Sequence, residues 1–213
     1  DFTVNAMAMG WRIANGEERL INHAPFALSD MLLIDPFGGQ DDFKARIIRT
    51  VRNPDERFTE DALRLLRAAR FATTLDDFSA STEGRSSSGG KGGPASGWEI
   101  ELNTRRAIEK HSGLLEMIAK ERVRDEFVKM IMSPRAGKGI ILLEELNLLQ
   151  YISPEIREGL CVGQNKHHIY TVFEHNVRAL DYAAKEKASL VVRLASLLHD
   201  VGKHRTKRGE GPD

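Results

Sequence analysis

The chain has 213 residues, with 31 Lys+Arg against 31 Asp+Glu and a formal net charge of zero. Hydrophobic residues make up 41% of it, enough for a globular core and too much for general disorder. No run approaches the roughly 18 apolar residues that cross a bilayer, and the single cysteine, Cys161, excludes an internal disulfide and a cysteine-based zinc cluster. One thiol in a chain of this size suits a reducing, cytoplasmic setting. The first residues lack the charged start of a signal peptide. The chain begins at Asp1 rather than Met and stops in Arg208-Gly-Glu-Gly-Pro-Asp213, so it reads as a piece of a longer protein.

Ala6 to Ile13 is short and apolar enough for a strand, and Asn15-Gly16 can turn it back. Met31 to Ile34 reads as a second strand, stopped by Asp35-Pro36. Asp41-Asp42 can cap a short helix through Arg46. Ile47 to Val51 is β-branched and ends at Asn53-Pro54. From Phe58 the pattern is almost all helix. Thr59 is the expected N-cap of a helix reaching Thr74, with Glu60 and Asp61 at its positive end. Further helices are expected over Asn103–Ile118, Glu121–Met132, Gly137–Leu148, Tyr170–Lys187 and Ser189–His199, with a short one opened by Ser153-Pro154. Residues 79–97 interrupt the series. Ser and Gly supply 12 of these 19 residues, a composition expected to form a flexible surface loop. The fold class that follows is mainly α, with a small α+β part at the N-terminus.

The segment FTEDALRLLRAARF, Phe58 to Phe71, separates into two faces at about 100° per residue. Ala62, Leu65, Leu66, Ala69 and Ala72 form the expected buried arc. Glu60, Arg64, Arg67 and Phe71 fall together opposite, with Asp61 at the edge. A solvated charged face is the ordinary reading. Against it, Arg64 and Arg67 repel at i,i+3 by roughly 0.2–0.5 kcal/mol and share their face with a ring. An acceptor, a planar fork of donors and a ring can instead read the edge of a nucleobase.

This segment resembles the base-reading motif of class II tRNA nucleotidyltransferases, the CCA-adding enzymes and their poly(A) polymerase relatives. Three further stretches match in the same order. DFTVNAMAM at 1–9 is similar to the end of the RRDFTxNA motif, which contacts the ribose of the incoming nucleotide. LIDPFGGQDDFKARIIRTVRNP at 33–54 resembles the segment joining that family's head domain to its neck. ERVRDEFVKMIMSP at 121–134 resembles the later neck motif ERxxxEFxK. The resemblance covers nearly the whole chain except residues 79–97. It implies three parts: the end of a nucleotidyltransferase head over 1–54, a helical neck over 55–150 and a truncated HD domain over 151–213.

The implied reaction is template-independent addition of CCA to tRNA 3′ ends from CTP and ATP. Relatives in the family add CCA, CC, A or poly(A). The resemblance places Asp61 and Arg64 on the base edge, Glu60 and Arg67 behind them, and Asp1 and Asn5 near the sugar. The catalytic carboxylates and their Mg2+ are expected upstream of Asp1, so this chain alone is expected to transfer nothing. Residues 103–138 hold nine Lys/Arg against five acids, a basic tendency suited to an RNA backbone.

A second constellation lies in KHHIYTVFEHNVRAL and LVVRLASLLHDVGK. His175 on one helix and His199-Asp200 ending another resemble the HD phosphohydrolase site, which holds a divalent transition metal and orients a water. The last metal-binding Asp of that pattern normally follows well after the HD pair, and Asp213 stands near and terminal. His23 and His111 are expected to be ordinary surface or core residues. The alternatives to nucleotide addition are therefore an HD-type hydrolase acting on a cyclic phosphate or nucleotide, and an RNA-binding segment without chemistry. No membrane partner is expected.

Overall fold

The structure, a computed structural model, describes residues 1–11, 31–75, 97–163 and 169–206. The Asn15-Gly16 turn, His23, His167, His168 and nearly all of the expected Ser/Gly loop lie outside these residues. At the loop's end, Gly97 is buried and so belongs to the packed chain.

The N-terminal part is built from short pieces. After a 3-10 turn at Thr3–Asn5, β1 (Ala8–Trp11) pairs antiparallel with β2 (Met31–Ile34), with Ala8 opposite Ile34. Helix α1 (Gly39–Ala45) starts from Gly38 in the left-handed region, at φ 71°. Its cap differs from the expected Asp41-Asp42. Asp35 accepts from the amides of Gly39 and Gln40, at 2.7 and 2.9 Å, and so satisfies two orphan donors of the first turn. Asp42 is buried instead, accepting from Thr3 Oγ1 at 2.7 Å and Arg49 Nε at 3.1 Å. Gly39 must be glycine, because a Cβ there would stand 2.2 Å from the Thr3 carbonyl oxygen.

The β-branched stretch forms β3 (Ile47–Ile48), which pairs parallel with β4 (Glu99–Ile100) across the residues that separate them in sequence. On its other side the stretch meets the N-terminus: Phe2 bridges Thr50, Thr3 N donates to Arg49 O, and Val51 N donates to Asp1 O. These bonds seat Asp1 beside the helices that follow.

The helix expected from Phe58 to Thr74 is two helices. Asn53 caps the first, α2 (Pro54–Glu60), by accepting from Asp55 N, with Pro54 at its first position. Thr59 is therefore not a cap; its hydroxyl donates back to the carbonyls of Asp55 and Glu56. The chain turns extended at Asp61 (φ −148°, ψ 102°), and α3 (Leu63–Thr74) begins. Aspartate competes with the helix ladder for backbone amides, and here its Oδ1 accepts from Leu63 N at 3.1 Å. The apolar arc of α3 is buried as expected, with Leu65 and Leu66 fully enclosed. Each such leucine contributes about 1.5–3 kcal/mol of transfer free energy.

Helix α4 (Leu102–His111) is shorter than expected and passes into a 3-10 segment, Ser112–Met117, at Ser112-Gly113. Then come α5 (Lys120–Ile131), α6 (Ala136–Glu145), α7 (Leu149–Ile152) and α8 (Pro154–Arg157). Helix α9 (Val172–Lys185) opens with a capping box between Thr171 and Glu174, and α10 (Leu190–Leu198) and α11 (Lys203–Thr206) follow. One continuous apolar cluster runs from Phe2 through α3, α5, α6 and α9 to Leu197. Helix α3 packs on α5 and α6, and α6 in turn packs on α9.

Two polar devices fix the second half. Asp181 of α9 accepts from Gly137 N at 2.8 Å, satisfying an orphan donor at the start of α6. Arg193 of α10 is only 4% exposed and donates to the carbonyls of Ile131, Ser133, Ala184 and Ala188. Its charge thus sits among the carbonyls that end α5 and α9, where the helix dipoles are negative.

Candidate nucleotide and metal sites

The α2–α3 junction gathers the sequence-predicted residues. Asp61, at the bend, uses Oδ1 for Leu63 N and Oδ2 for Arg122 Nη2 of α5, at 3.0 Å. Burial pushes the Asp61 carboxyl up, but Arg122, the Leu63 amide and nearby Arg64 outweigh it and hold it below the ordinary value. Asp61 is thus a carboxylate, able only to accept. Arg122 is not among the expected site residues, although it lies in the ERVRDEF segment that resembles the later neck motif.

Arg64 lies in the first turn of α3 and points back at α2. Its Nη1 donates to Glu60 Oε2 at 2.7 Å and to Arg57 O at 2.9 Å, and its Nε donates to Asp1 Oδ1 at 3.0 Å. Arg67 Nη2 meets the other oxygen of Asp1, Oδ2, at 2.6 Å. The repulsion anticipated between Arg64 and Arg67 is therefore offset by a carboxylate held between them. Glu60, exposed at the end of α2, is held below the ordinary carboxyl value by its bond to Arg64.

Asn5 takes a local role: its side-chain oxygen accepts from Phe2 N at 2.8 Å and closes the 3-10 turn after Asp1. Phe71 does not stand free as a stacking platform. It packs edge-on against Phe2, at 5.7 Å between ring centroids, and Arg70 lies 4.1 Å over its face. Behind this layer, Arg70 and Lys129 both pair with buried Glu126. Burial pushes Glu126 up, but the two cations outweigh it and keep its carboxyl below the ordinary value. His111, expected to be unremarkable, ties α4 to α2 through a 2.6 Å contact between Nε2 and Asp55 Oδ1.

The second constellation also converges. His175 near the start of α9 and His199 at the end of α10 face each other with Nε2 atoms 3.1 Å apart. Asp200 Oδ2 lies 3.6 Å from the first and 3.4 Å from the second. One ligand atom from each residue falls within a 4.8 Å set. His199 Nδ1 stands 2.9 Å from the Ser196 carbonyl oxygen, which only accepts; a proton on Nδ1 would be held there and would leave Nε2 to face a metal. Two imidazole nitrogens aimed at one point beside a carboxylate fit a divalent transition metal. Lys203 Nζ also contacts Asp200 Oδ2, at 2.5 Å. Asp213 lies outside the described residues.

Residues 97–160 match the family described as the probable RNA and SrmB-binding site of polymerase A. The A-adding tRNA nucleotidyltransferase of Deinococcus radiodurans is 37% identical over 213 residues, covering 97% of this chain and 40% of that protein. The CCA-adding enzyme of Anoxybacillus flavithermus is 40% identical over 156 residues, covering 73% of this chain and 29% of that protein. The chain thus spans well under half the length of these curated relatives. Among solved structures, the CCA-adding enzyme of Bacillus stearothermophilus in complex with CTP shares the fold, with a TM-score of 0.52 at 24% identity, covering 100% of this chain and 55% of that one. No helix among the described residues is long and apolar enough to cross a membrane. Four motifs in order, the folded junction that unites them and these likenesses lead to one conclusion: the chain belongs to the class II tRNA nucleotidyltransferase family, which includes the CCA-adding and A-adding enzymes.

Proposed function

We propose that this chain supplies the nucleotide-selecting part of an enzyme that adds CCA to tRNA 3′ ends from CTP and ATP without a template. The carrying observation is the α2–α3 junction, where an ionised acceptor, Asp61, and a locked planar donor, Arg64, stand at the start of one helix. Cytosine and adenine each carry an exocyclic amino donor beside a ring acceptor. Uracil and guanine present a carbonyl and an N–H at the corresponding edge. Asp61 accepts from the amino group and Arg64 donates to the ring nitrogen, while Glu60 fixes the Arg64 plane. Asp1, with Asn5 shaping its turn, faces the nucleotide sugar. Mg2+ bound by carboxylates outside this chain would neutralise charge on the transferring phosphate.

The same reading takes residues 1–54 as the end of the head, 55–150 as the neck and 151–213 as part of an HD domain. Its tRNA partner is favoured by the match over 97–160 and by exposed cations such as Arg106, Lys120 and Lys138 on α4, α5 and α6. A cytoplasmic setting accords with exposed, unbridged Cys161.

Incorporation of all four labelled nucleotides into tRNA lacking CCA, by a full-length enzyme carrying these residues, tests the proposal. Asp61→Ala should relax discrimination against UTP and GTP by roughly ten- to a hundredfold, the worth of one mismatched buried contact. Unchanged selectivity would remove Asp61 from base reading.

A second activity is favoured by one further observation, the convergence of His175, His199 and Asp200. A divalent metal held there would polarise a phosphoryl oxygen and lower the pKa of a bound water. With an Nδ1 proton on the Ser196 carbonyl, His199 would turn Nε2 to the metal. Titration of the chain with Co2+ should give a visible absorption band that His199→Ala loses, and an unchanged band would place the metal elsewhere.

A further inference from the structure

We infer that Arg67 is a positioning residue for the Asp1 carboxylate, and that it governs choice between ribo- and deoxyribonucleotides rather than choice between bases. The inference rests on the reading of Asp1 as the sugar contact. The two oxygens of Asp1 are held separately, Oδ1 by Arg64 Nε at 3.0 Å and Oδ2 by Arg67 Nη2 at 2.6 Å. The Asp1 and Arg64 side chains are each 15% exposed and that of Arg67 is 30% exposed, so solvent only partly screens the pair.

The two arginines carry different loads. Arg64 is shared among Asp1, Glu60 and the Arg57 carbonyl, so its loss disturbs the base face and the sugar face together. Among the described residues, Asp1 is the one acid that Arg67 pairs with. Asp61, the base contact, is held by Arg122 and Leu63 N, and neither bond involves Arg67. Removing the Arg67 charge therefore frees one oxygen of Asp1, while Asp61 keeps both its bonds and Arg64 keeps those to Glu60 and the Arg57 carbonyl.

A carboxylate oxygen has two lone pairs, so one bond from arginine leaves a second site to accept from a hydroxyl. Two cations, one on each oxygen, fix the carboxylate plane. A ribose hydroxyl fills the remaining site. A deoxy sugar leaves that acceptor unpaired, and the difference becomes selectivity only while the carboxylate is held still.

The test is steady-state kinetics of a full-length enzyme carrying these residues, with ATP, dATP, CTP, dCTP and UTP, alongside thermal melting. Arg67→Gln should lower the ribo-over-deoxy preference about tenfold, and leave the CTP-over-UTP preference within about twofold of wild type. Arg67→Lys should recover part of the sugar preference, since an ammonium still places a charge at Oδ2. Adding Arg67→Gln to Asp1→Asn should change the sugar preference no further. An unchanged ribo-over-deoxy ratio in Arg67→Gln, or an equal fall in base selectivity, overturns the inference. If wild type incorporates no nucleotide at all, the transferase reading itself fails and the inference with it. If Arg67→Gln unfolds, the Lys variant and the Asp1→Asn background still decide between the outcomes.

Discussion

Arg122 donates to Asp61 across 61 positions of sequence, at 3.0 Å, and joins the α2–α3 junction to α5. The contact orients the oxygen of Asp61 that Leu63 does not use. Its side chains are 51% and 27% exposed, so the pair stabilises the fold by about 0–1 kcal/mol. If Asp61 reads the base as proposed, Arg122→Ala in a full-length enzyme carrying these residues should leave the melting temperature nearly unchanged while relaxing discrimination against UTP and GTP. A large drop in melting temperature with intact selectivity would mean that Arg122 serves the fold and not the site.

Arg193 is the opposite case, a buried cation with four carbonyl partners. Arg193→Met removes the buried donors of the Ile131 and Ser133 carbonyls, whereas Ala184 O keeps Lys187 N and the Ala188 bond is only partly buried. Each buried acceptor left unpaired costs about 1–3 kcal/mol, so a loss of about 3 kcal/mol or more is expected in chemical denaturation. Arg193→Lys should restore only part, because an ammonium cannot span four carbonyls at once. Stability within 1 kcal/mol of wild type, to order of magnitude, would refute the bridging role.

Asp181 and Gly137 form a third testable pair. Asp181→Ala removes the acceptor for the Gly137 amide, at a cost of about 0.5–2 kcal/mol. Gly137→Ala should remove the same bond by displacement, since its Cβ would stand 2.4 Å from the Asp181 carboxyl. The two substitutions should then be strongly non-additive in a double-mutant cycle. Simple additivity would mean that the close approach and the hydrogen bond are unrelated.

Glu126 predicts an acid limb in stability. Its folded carboxyl is held below the ordinary value of 4.5 by Lys129 and Arg70 against the effect of burial. A depressed carboxyl stabilises the fold fully above the unfolded value and loses that contribution as pH falls through the folded one. Melting temperature should thus fall on acidification below about pH 4.5 in wild type and fall less steeply in Glu126→Gln. Identical acid limbs in the two proteins would shift the cause to other carboxylates.

Several of these features were legible in the amino-acid order. The 100° periodicity of Leu65, Leu66, Ala69 and Ala72 located the buried arc of α3, because burial of apolar area is local to a helix face. Tyr170–Lys187 and Ser189–His199 were readable as helices, and His175 and His199-Asp200 marked them as two helices that had to meet for a metal to be held. The break at Asp61 was not legible. Glu60-Asp61 reads equally well as the charged start of one helix or as an end followed by a cap. Arg122 and Leu63 together favour the bend, and Arg122 is brought there only by packing of α5 on α3. The fate of Phe71 and the pairing of two arginines with Asp1 were likewise decided by the strand contacts of residues 1–3 with 49–51. Side-chain type and period determined which faces are buried and which residues carry charge. Which charges meet depends on contacts between distant segments, whose free energies appear only once the apolar arc has chosen its partners.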